Sequence, residues 1–539
     1  MNLTIAEWVP VWVDGELREV SLREALVRAH EIEELDRAEP LVAAALLALL
    51  VVIGAEVEPT PRPDGQFEAL WSRGRFDPAA VDAYFDEYGD RFELFGERPF
   101  AQVGALEALS GGPKPVSLLV AEAATGNNVP LFSHSAENAY PALTSAQAAR
   151  RLLATLAWDT AAIKTGVKGD PRASVGKTTG NPTGPLGQLG HVTLLGTNLF
   201  ETLLLNRPAD PRAQRGVPLW RREKEPGPAW AEIVPSGWAE LFTWPSRRIR
   251  LFPSVIDGEV VVTGVIVAAG DRIAAIPLAF EPRTAWHRVA KPKAGKPAHE
   301  PRRHQQGVAA WRGLGALTVL TAASAPEADL PPAVLQRARE LVTTGVLSET
   351  YPMRVAITGV EYGNKLAVIE DVIFDTTRLP MRSLDPAQGQ ELRAVLQAMA
   401  HTGLAVADAL NRLGDNCRLA AGGEKVQRGK GQNPGDLLLH MLSAPAERVL
   451  AGLARDPDQA NSASVAWEHV VRADAMAIAE RLLGDQPDRA FRGHVYKDAR
   501  GQERLMRSQL AEAYFRKALN DALPSTRPQS HLPDPEESA

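Results

Sequence analysis

Cysteine is nearly missing from this chain of 539 residues: Cys417 stands alone. A single thiol excludes an intrachain disulfide and a structural zinc site built on cysteines. Long apolar runs are missing as well. The longest uncharged one, Leu41 to Ala55, falls short of the ~20 residues that a membrane span needs, which predicts a helix buried in a large domain and no membrane partner. The start has no charged segment followed by an apolar one, so no signal peptide is expected and a cytoplasmic location is. The histidines, among them His134, His191, His287, His299, His304 and His401, show neither His-x-x-x-His nor His-Glu-x-x-His spacing, and no Gly-x-Ser-x-Gly elbow occurs. Nothing near Cys417 signals an activated thiol. No catalytic residue, metal or cofactor is therefore expected, and the residues favour a binding or scaffolding protein over an enzyme.

What is present fits an ordinary soluble globular protein, with 45% apolar and 23% charged residues. The length calls for two or three domains. The net charge of −7 rules out a uniformly basic surface. It does not exclude nucleic acid, because phosphate affinity depends on local clusters.

The pattern along the chain predicts an α+β fold: a large mixed N-terminal domain over 1–380, a four-helix bundle over 381–523, and a disordered Pro-, Ser- and Glu-rich tail over 524–539. Trp8–Val13, Asp14-Gly15 and Glu16–Val20 read as a hairpin. Helices are expected at 21–33, 40–53 and 78–90, and from Ser145 to about Thr165. Alternating apolar runs with Asp-Gly and Gly-Asp turns predict antiparallel strands over 246–285. Helical patterns then cover 386–413, 434–455, 464–485 and 503–522, with no strand among them.

The most informative segment is Gly176-Lys177-Thr178-Thr179-Gly180, continuing through Asn181-Pro182-Thr183-Gly184. Glycine allows close backbone approach and positive φ, while Asn and Thr add short polar contacts. It reads as a contact loop. Val175-Gly176-Lys177-Thr178 also ends like a phosphate-binding P-loop, but the first glycine that motif requires falls on Pro171. A nucleotide-binding enzyme using Gly176-Lys177-Thr178 is thus the alternative function. A second polar loop holds Asn127, Asn128, Val129 and His134. The stretch 283–312 carries Arg288, Lys291, Lys293, Lys296, Arg302 and Arg303 against Glu300 alone, which predicts a mobile basic loop, either simply solvated or attached to a nucleic-acid backbone. A weaker basic loop follows at Lys425, Arg428 and Lys430. Gly359 to Leu366 reads as a β-hairpin with its tip at Gly363-Asn364. Such a tip can be plain turn chemistry, or a protrusion able to push between base pairs.

In order along the chain, several features resemble one family. They are Met1-Asn2-Leu3 with Trp8-Val9-Pro10-Val11, the helix Leu41–Gly54, and Glu97-Arg98-Pro99-Phe100-Ala101-Gln102. The Asn127-Asn128 loop with Leu131-Phe132-Ser133-His134, and Gly196-Thr197-Asn198-Leu199 to Leu205-Asn206, complete the set. Together they are similar to CasA, the large subunit of the type I-E CRISPR surveillance complex Cascade. The resemblance implies a non-enzymatic subunit that reads the protospacer-adjacent motif (PAM) of double-stranded DNA from the minor groove, helps open the duplex and recruits the Cas helicase–nuclease. Guide RNA then reads the remaining sequence by pairing. On this resemblance Gly176, Lys177, Thr178, Thr179 and Gly180 form the glycine loop, Gly363, Asn364 and Lys365 the wedge, and Arg272 the basic finger. Asn127, Asn128 and Val129 dock on the 5′ handle of the guide RNA and a neighbouring Cascade subunit. The bundle faces other subunits and helps hold the displaced strand.

Overall fold

The computed structural model describes every residue except 60–64, 122, 124–140, 175–180, 209–212, 293–296, 319–328, 426–432, 499 and 528–539. Helices and strands are mixed, and the chain divides into two compact units. The first takes the described residues of Met1–Ala310, Leu320–Leu347 and Met353–Thr376, and the second takes the rest.

The first unit opens on strands β1 (Val9–Val13) and β2 (Glu16–Val20), antiparallel with Val13 opposite Glu16. Asp14 and Gly15 both adopt positive φ, 52° and 71°, the geometry that matches the twist of a two-residue hairpin. Helix α1 (Pro40–Val57) starts on proline, whose missing N–H costs nothing at a helix start. It is buried from Leu41 through Ala55. A helix apolar on every side belongs in a core, as its sequence predicts.

Helix α2 (Ser145–Trp158) packs on α1 and begins with a capping box, Thr144 and Gln147 each bonding the other's backbone. It ends at Trp158, short of the expected Thr165. Asp159 leaves the helical region with ψ at 149°, and its carboxylate is taken by Lys164 and Arg247. Trp158 Nε1 donates to the Leu41 carbonyl at 3.0 Å.

Strand β3 (His191–Leu195) is buried throughout. Strands β4 (Arg247–Ile256) and β5 (Glu259–Ala269) form the expected antiparallel pair, turning at Asp257-Gly258. Strands β6 (Arg354–Tyr362) and β7 (Ile369–Arg378) make a sheet with β3 in the order β7-β6-β3. Thr358 stands opposite His191, and Arg354 opposite Leu195.

The basic stretch departs from expectation. In its described part Trp286–Arg288 pairs antiparallel with His299–Pro301. Arg283 is wholly buried and bonds the Glu281 carboxylate at 2.9 Å. The run of bases hid both an internal ion pair and a hairpin.

In the second unit the long helix α3 (Gln390–Ala420) packs against α4 (Pro434–Met441), α6 (Ala460–Gly484) and α7 (Ser508–Ala522). Helix α5 (Ser443–Arg455) packs on α6. Trp311 meets Trp467 edge to face in this core. The expected helix over 434–455 is present as α4 and α5 with only Leu442 between them; Leu442 keeps helical φ and ψ, and Pro445 brings no N–H to the Met441 carbonyl. The expectation of no strand fails. Strands β8 (His494–Lys497) and β9 (Glu503–Met506) form a hairpin about an Asp498–Gly501 turn. Gly501 supplies φ 76°, and the Asp498 carboxylate accepts from the Arg500 and Gln502 amides. The apparent helix from 503 therefore begins at Ser508.

Candidate nucleic-acid interface

The β6–β7 hairpin carries the first predicted site. Its tip is longer than two residues: the Gly363 amide closes it on the Val368 carbonyl at 2.9 Å. Within it Leu366 N–H donates to Gly363 (2.8 Å) and Ala367 N–H to Asn364 (3.1 Å). Lys365 and Leu366 sit in the left-handed region, φ 54° and 58°. That conformation is disfavoured for side chains other than glycine. It turns Leu366 in against a core cluster of Trp158, Leu186, Leu189 and Tyr362, and leaves Asn364 and Lys365 exposed.

The base of the tip is braced. Tyr362 Oη donates to the Trp158 carbonyl at 2.5 Å, and the Leu366 carbonyl accepts from the Ala161 amide at 2.8 Å. Gly187 approaches so closely that a Cβ there would lie 2.1 Å from Tyr362 Oη. Burial pushes the Tyr362 phenol well above its ordinary value, with the Asp159 charge adding to the effect. It therefore stays a donor.

Gly187 belongs to the arm that leaves the glycine loop. Gly176, Lys177, Thr178, Thr179 and Gly180 lie outside the described residues, as do Asn127, Asn128, Val129 and His134. The arm itself is tightly placed. Gly184 N–H donates to the Asp159 carbonyl at 2.9 Å, and a Cβ on Gly184 would meet Ala157 backbone at 2.4 Å. The Pro182 carbonyl accepts from Arg247 Nη2 at 2.8 Å. Arg247, 1% exposed, also donates to the Ser246 and Thr160 carbonyls and bonds the Asp159 carboxylate. Lys164 Nζ reaches that carboxylate at 2.7 Å. Burial alone would raise the Asp159 carboxyl, but the Lys164 and Arg247 charges outweigh it and hold it below its usual value. Lys164 is itself lowered by burial, partly offset by Asp159.

Arm, hairpin and the end of α2 thus share one braced junction. A cleft of about 260 Å³ opens beside it, lined by Leu119, Trp158, Lys164, Thr165, Val368 and Ile369.

Arg272, the expected basic finger, is placed by a strand and an indole. It lies in a two-residue strand (Arg272–Ile273) parallel to Glu232–Ile233, and its guanidinium rests 3.8 Å from the Trp230 ring centre. Burial lowers its pKa, Glu232 opposes that shift, and the Arg172 charge adds to it. His191 is fully buried in β3 and held neutral by burial first, then by Arg283 and His304. Sequence reasoning missed the brace formed by Tyr362, Asp159, Lys164 and Arg247. The one available signal was an aromatic residue ending a strand directly before the tip glycine. Among the described residues no group of three His, Cys, Asp or Glu stands close enough to hold a metal.

A two-unit protein of mixed helix and strand, with a braced hairpin beside a glycine-loop arm, matches known proteins. Residues 2–478 match the family CRISPR-associated protein Cse1, and the chain belongs to that family, also called CasA, of the Cascade complex. It is 34% identical over 256 residues to CRISPR-associated protein CasA/Cse1 of Thermus thermophilus. That alignment covers 46% of this chain and 48% of the relative, so the chain spans about half the length of the curated relative it matches. The fold is similar to the crystal structure of Thermobifida fusca Cse1, with TM-score 0.82, 29% identity, and 98% and 99% of the two chains covered. It is similar also to Cse1 of Acidimicrobium ferrooxidans, with TM-score 0.80, 28% identity and the same coverage.

Proposed function

We propose that this chain is the non-catalytic, PAM-reading large subunit of a type I-E Cascade complex. It reads the PAM of double-stranded DNA from the minor groove and drives the β6–β7 tip between base pairs as guide RNA takes the target strand. Gly176–Gly180 contact the groove, Asn127–Val129 dock on the guide RNA 5′ handle and a neighbouring Cascade subunit, and the assembled complex recruits the Cas helicase–nuclease in the cytoplasm. Minor-groove reading distinguishes A·T from G·C and little more, so several PAM sequences are tolerated.

The observation that carries this reading is the tip itself: Asn364 and Lys365 exposed on a strained turn whose base is locked through Tyr362 and Leu366. A wedge must oppose a few kcal/mol of unstacking per base step. A loose loop would fold back before supplying it; a tip fixed to Trp158 and Ala161 resists.

The test compares guide-loaded complexes, with and without this subunit, binding PAM-bearing and PAM-scrambled duplexes. The subunit should create a PAM-dependent gain in affinity. Asn364→Ala with Lys365→Ala should reduce the gain about tenfold, one phosphate or groove contact and the lost wedge together being worth ~1–2 kcal/mol. An unchanged PAM preference in the double variant would refute the wedge assignment.

A further inference from the structure

Glu370, the second residue of β7, folds back over the hairpin tip. A Cβ placed on Gly363 would collide with its Oε1 and stand 2.5 Å from its carboxyl carbon. Gly363 has φ −77° and ψ −153°, extended backbone that other residues also adopt. Glycine is therefore needed here for the space it leaves, and the Glu370 carboxylate fills that space. Glu370 is exposed, and among the described residues its carboxylate accepts no hydrogen bond and joins no ion pair. Counting Glu370, four charges stand near the tip, two of each sign. Glu361 lies two residues before Gly363 and Glu370 two after Val368, so the Gly363–Val368 closure sets them on one face. Lys365 is exposed on the tip itself, and Arg303 lies close enough to act on the Tyr362 phenol. Asp371 falls on the other face by strand alternation and accepts from the Val372 amide at 2.9 Å.

That balance neither gathers phosphate nor drives it off, so what the tip distinguishes depends on its single groups. An ionised carboxylate only accepts hydrogen bonds, and an ammonium only donates. The minor-groove floor of A·T and T·A shows acceptors alone, while G·C adds the guanine N2 amino donor. Lys365 and the Asn364 amide can therefore donate to any pair. On that floor Glu370 can bond only guanine. Against A·T it sets one acceptor on another, with no donor between them.

We propose that Glu370 is a specificity-determining residue of the tip: its carboxylate accepts from the N2 amino group of a guanine in the last closed pair of the PAM. Gly363 is the positioning residue, since it leaves the room in which the carboxylate lies. This rests on the minor-groove PAM reading above. It narrows that reading to a required G·C at one position.

The experiment measures affinity of the guide-loaded complex for PAM-bearing duplexes in which each PAM guanine, on either strand, is replaced in turn by inosine. Inosine still pairs with cytosine but lacks the N2 amino group. At one position the replacement should weaken wild-type binding about tenfold, the worth of one hydrogen bond to a charged group. Adenine paired with thymine there should cost at least as much, and 2,6-diaminopurine, which restores the amino group opposite thymine, should recover binding. Glu370→Ala should bind the guanine and inosine duplexes alike. So should Gly363→Ala, which keeps the carboxylate but evicts it, and its urea midpoint should stay near that of the wild type. Glu361→Ala should keep the penalty. The assignment is overturned if no inosine costs wild-type affinity, if diaminopurine recovers nothing, if the penalty survives Glu370→Ala, or if Glu361→Ala abolishes it. A penalty that survives Gly363→Ala overturns the positioning role of Gly363. A wild-type complex that binds PAM-bearing and PAM-scrambled duplexes alike defeats the PAM reading and this proposal with it, whereas a PAM preference that ignores inosine defeats Glu370 alone.

Discussion

Several single residues here are defined by what burial denies them. His191 is 0% exposed, its Nε2 has no hydrogen-bond partner among the described residues, and its imidazole is held well below its usual value. His304, which bonds the His191 carbonyl at 3.0 Å, is lowered too, by burial against that hydrogen bond. The sign follows directly. The unfolded chain takes up these protons near pH 6.5 while the folded chain refuses them, so unfolding is favoured as pH falls below that point. Each histidine should remove up to ~1.4 kcal/mol of stability per pH unit there. Urea unfolding at pH 7.5 and 5.5 checks this: the wild type should lose more stability between the two than His191→Gln does. Equal losses would mean that His191 takes its proton in the folded state. None of this could be read from the sequence, where His191 is one histidine among several without ligand spacing.

The β6–β7 hairpin shows which parts of an element are legible in advance. Gly359 to Leu366 announces a hairpin through its strand-forming residues and Gly-Asn pair, and the strands are there. The real tip is longer, because tertiary contacts drew Leu366 into the core and forced positive φ on Lys365 and Leu366. The same limit explains the β8–β9 hairpin. Glu503–Met506 merges into a helical pattern unless Asp498–Gly501 is recognised as a turn. The brace at Asp159 joins residues 88 positions apart in the chain, beyond any local pattern. Strain at Lys365 separates stability from function. Lys365→Gly and Lys365→Ala both remove the ammonium, but only glycine relieves the left-handed backbone, worth ~1 kcal/mol. Urea midpoints should rank glycine above alanine, while PAM-dependent affinity falls alike in both. A glycine variant no more stable than alanine would show that the tip relaxes away from this conformation.

At the scale of the whole molecule the two units carry separate cores, and the tryptophans divide between them unevenly. Trp311 and Trp467 belong to the second unit, and the other nine of the 11 belong to the first. Cys417 lies in α3, 2% exposed, with burial pushing its thiol up to about 11 against the opposing Arg418 charge. A buried protonated thiol is a poor nucleophile. It should resist thiol reagents at pH 8 in the native protein and react only once α3 opens. The lone cysteine is therefore a site-specific report on the second unit, while intrinsic fluorescence reports mainly on the first. A chain with two cores need not unfold in one step. Urea titrations followed by Cys417 labelling and by fluorescence should give separate midpoints. Coincident midpoints would mean that the units unfold as one, and a change at the β6–β7 hairpin would then be felt through the stability of the helices as well.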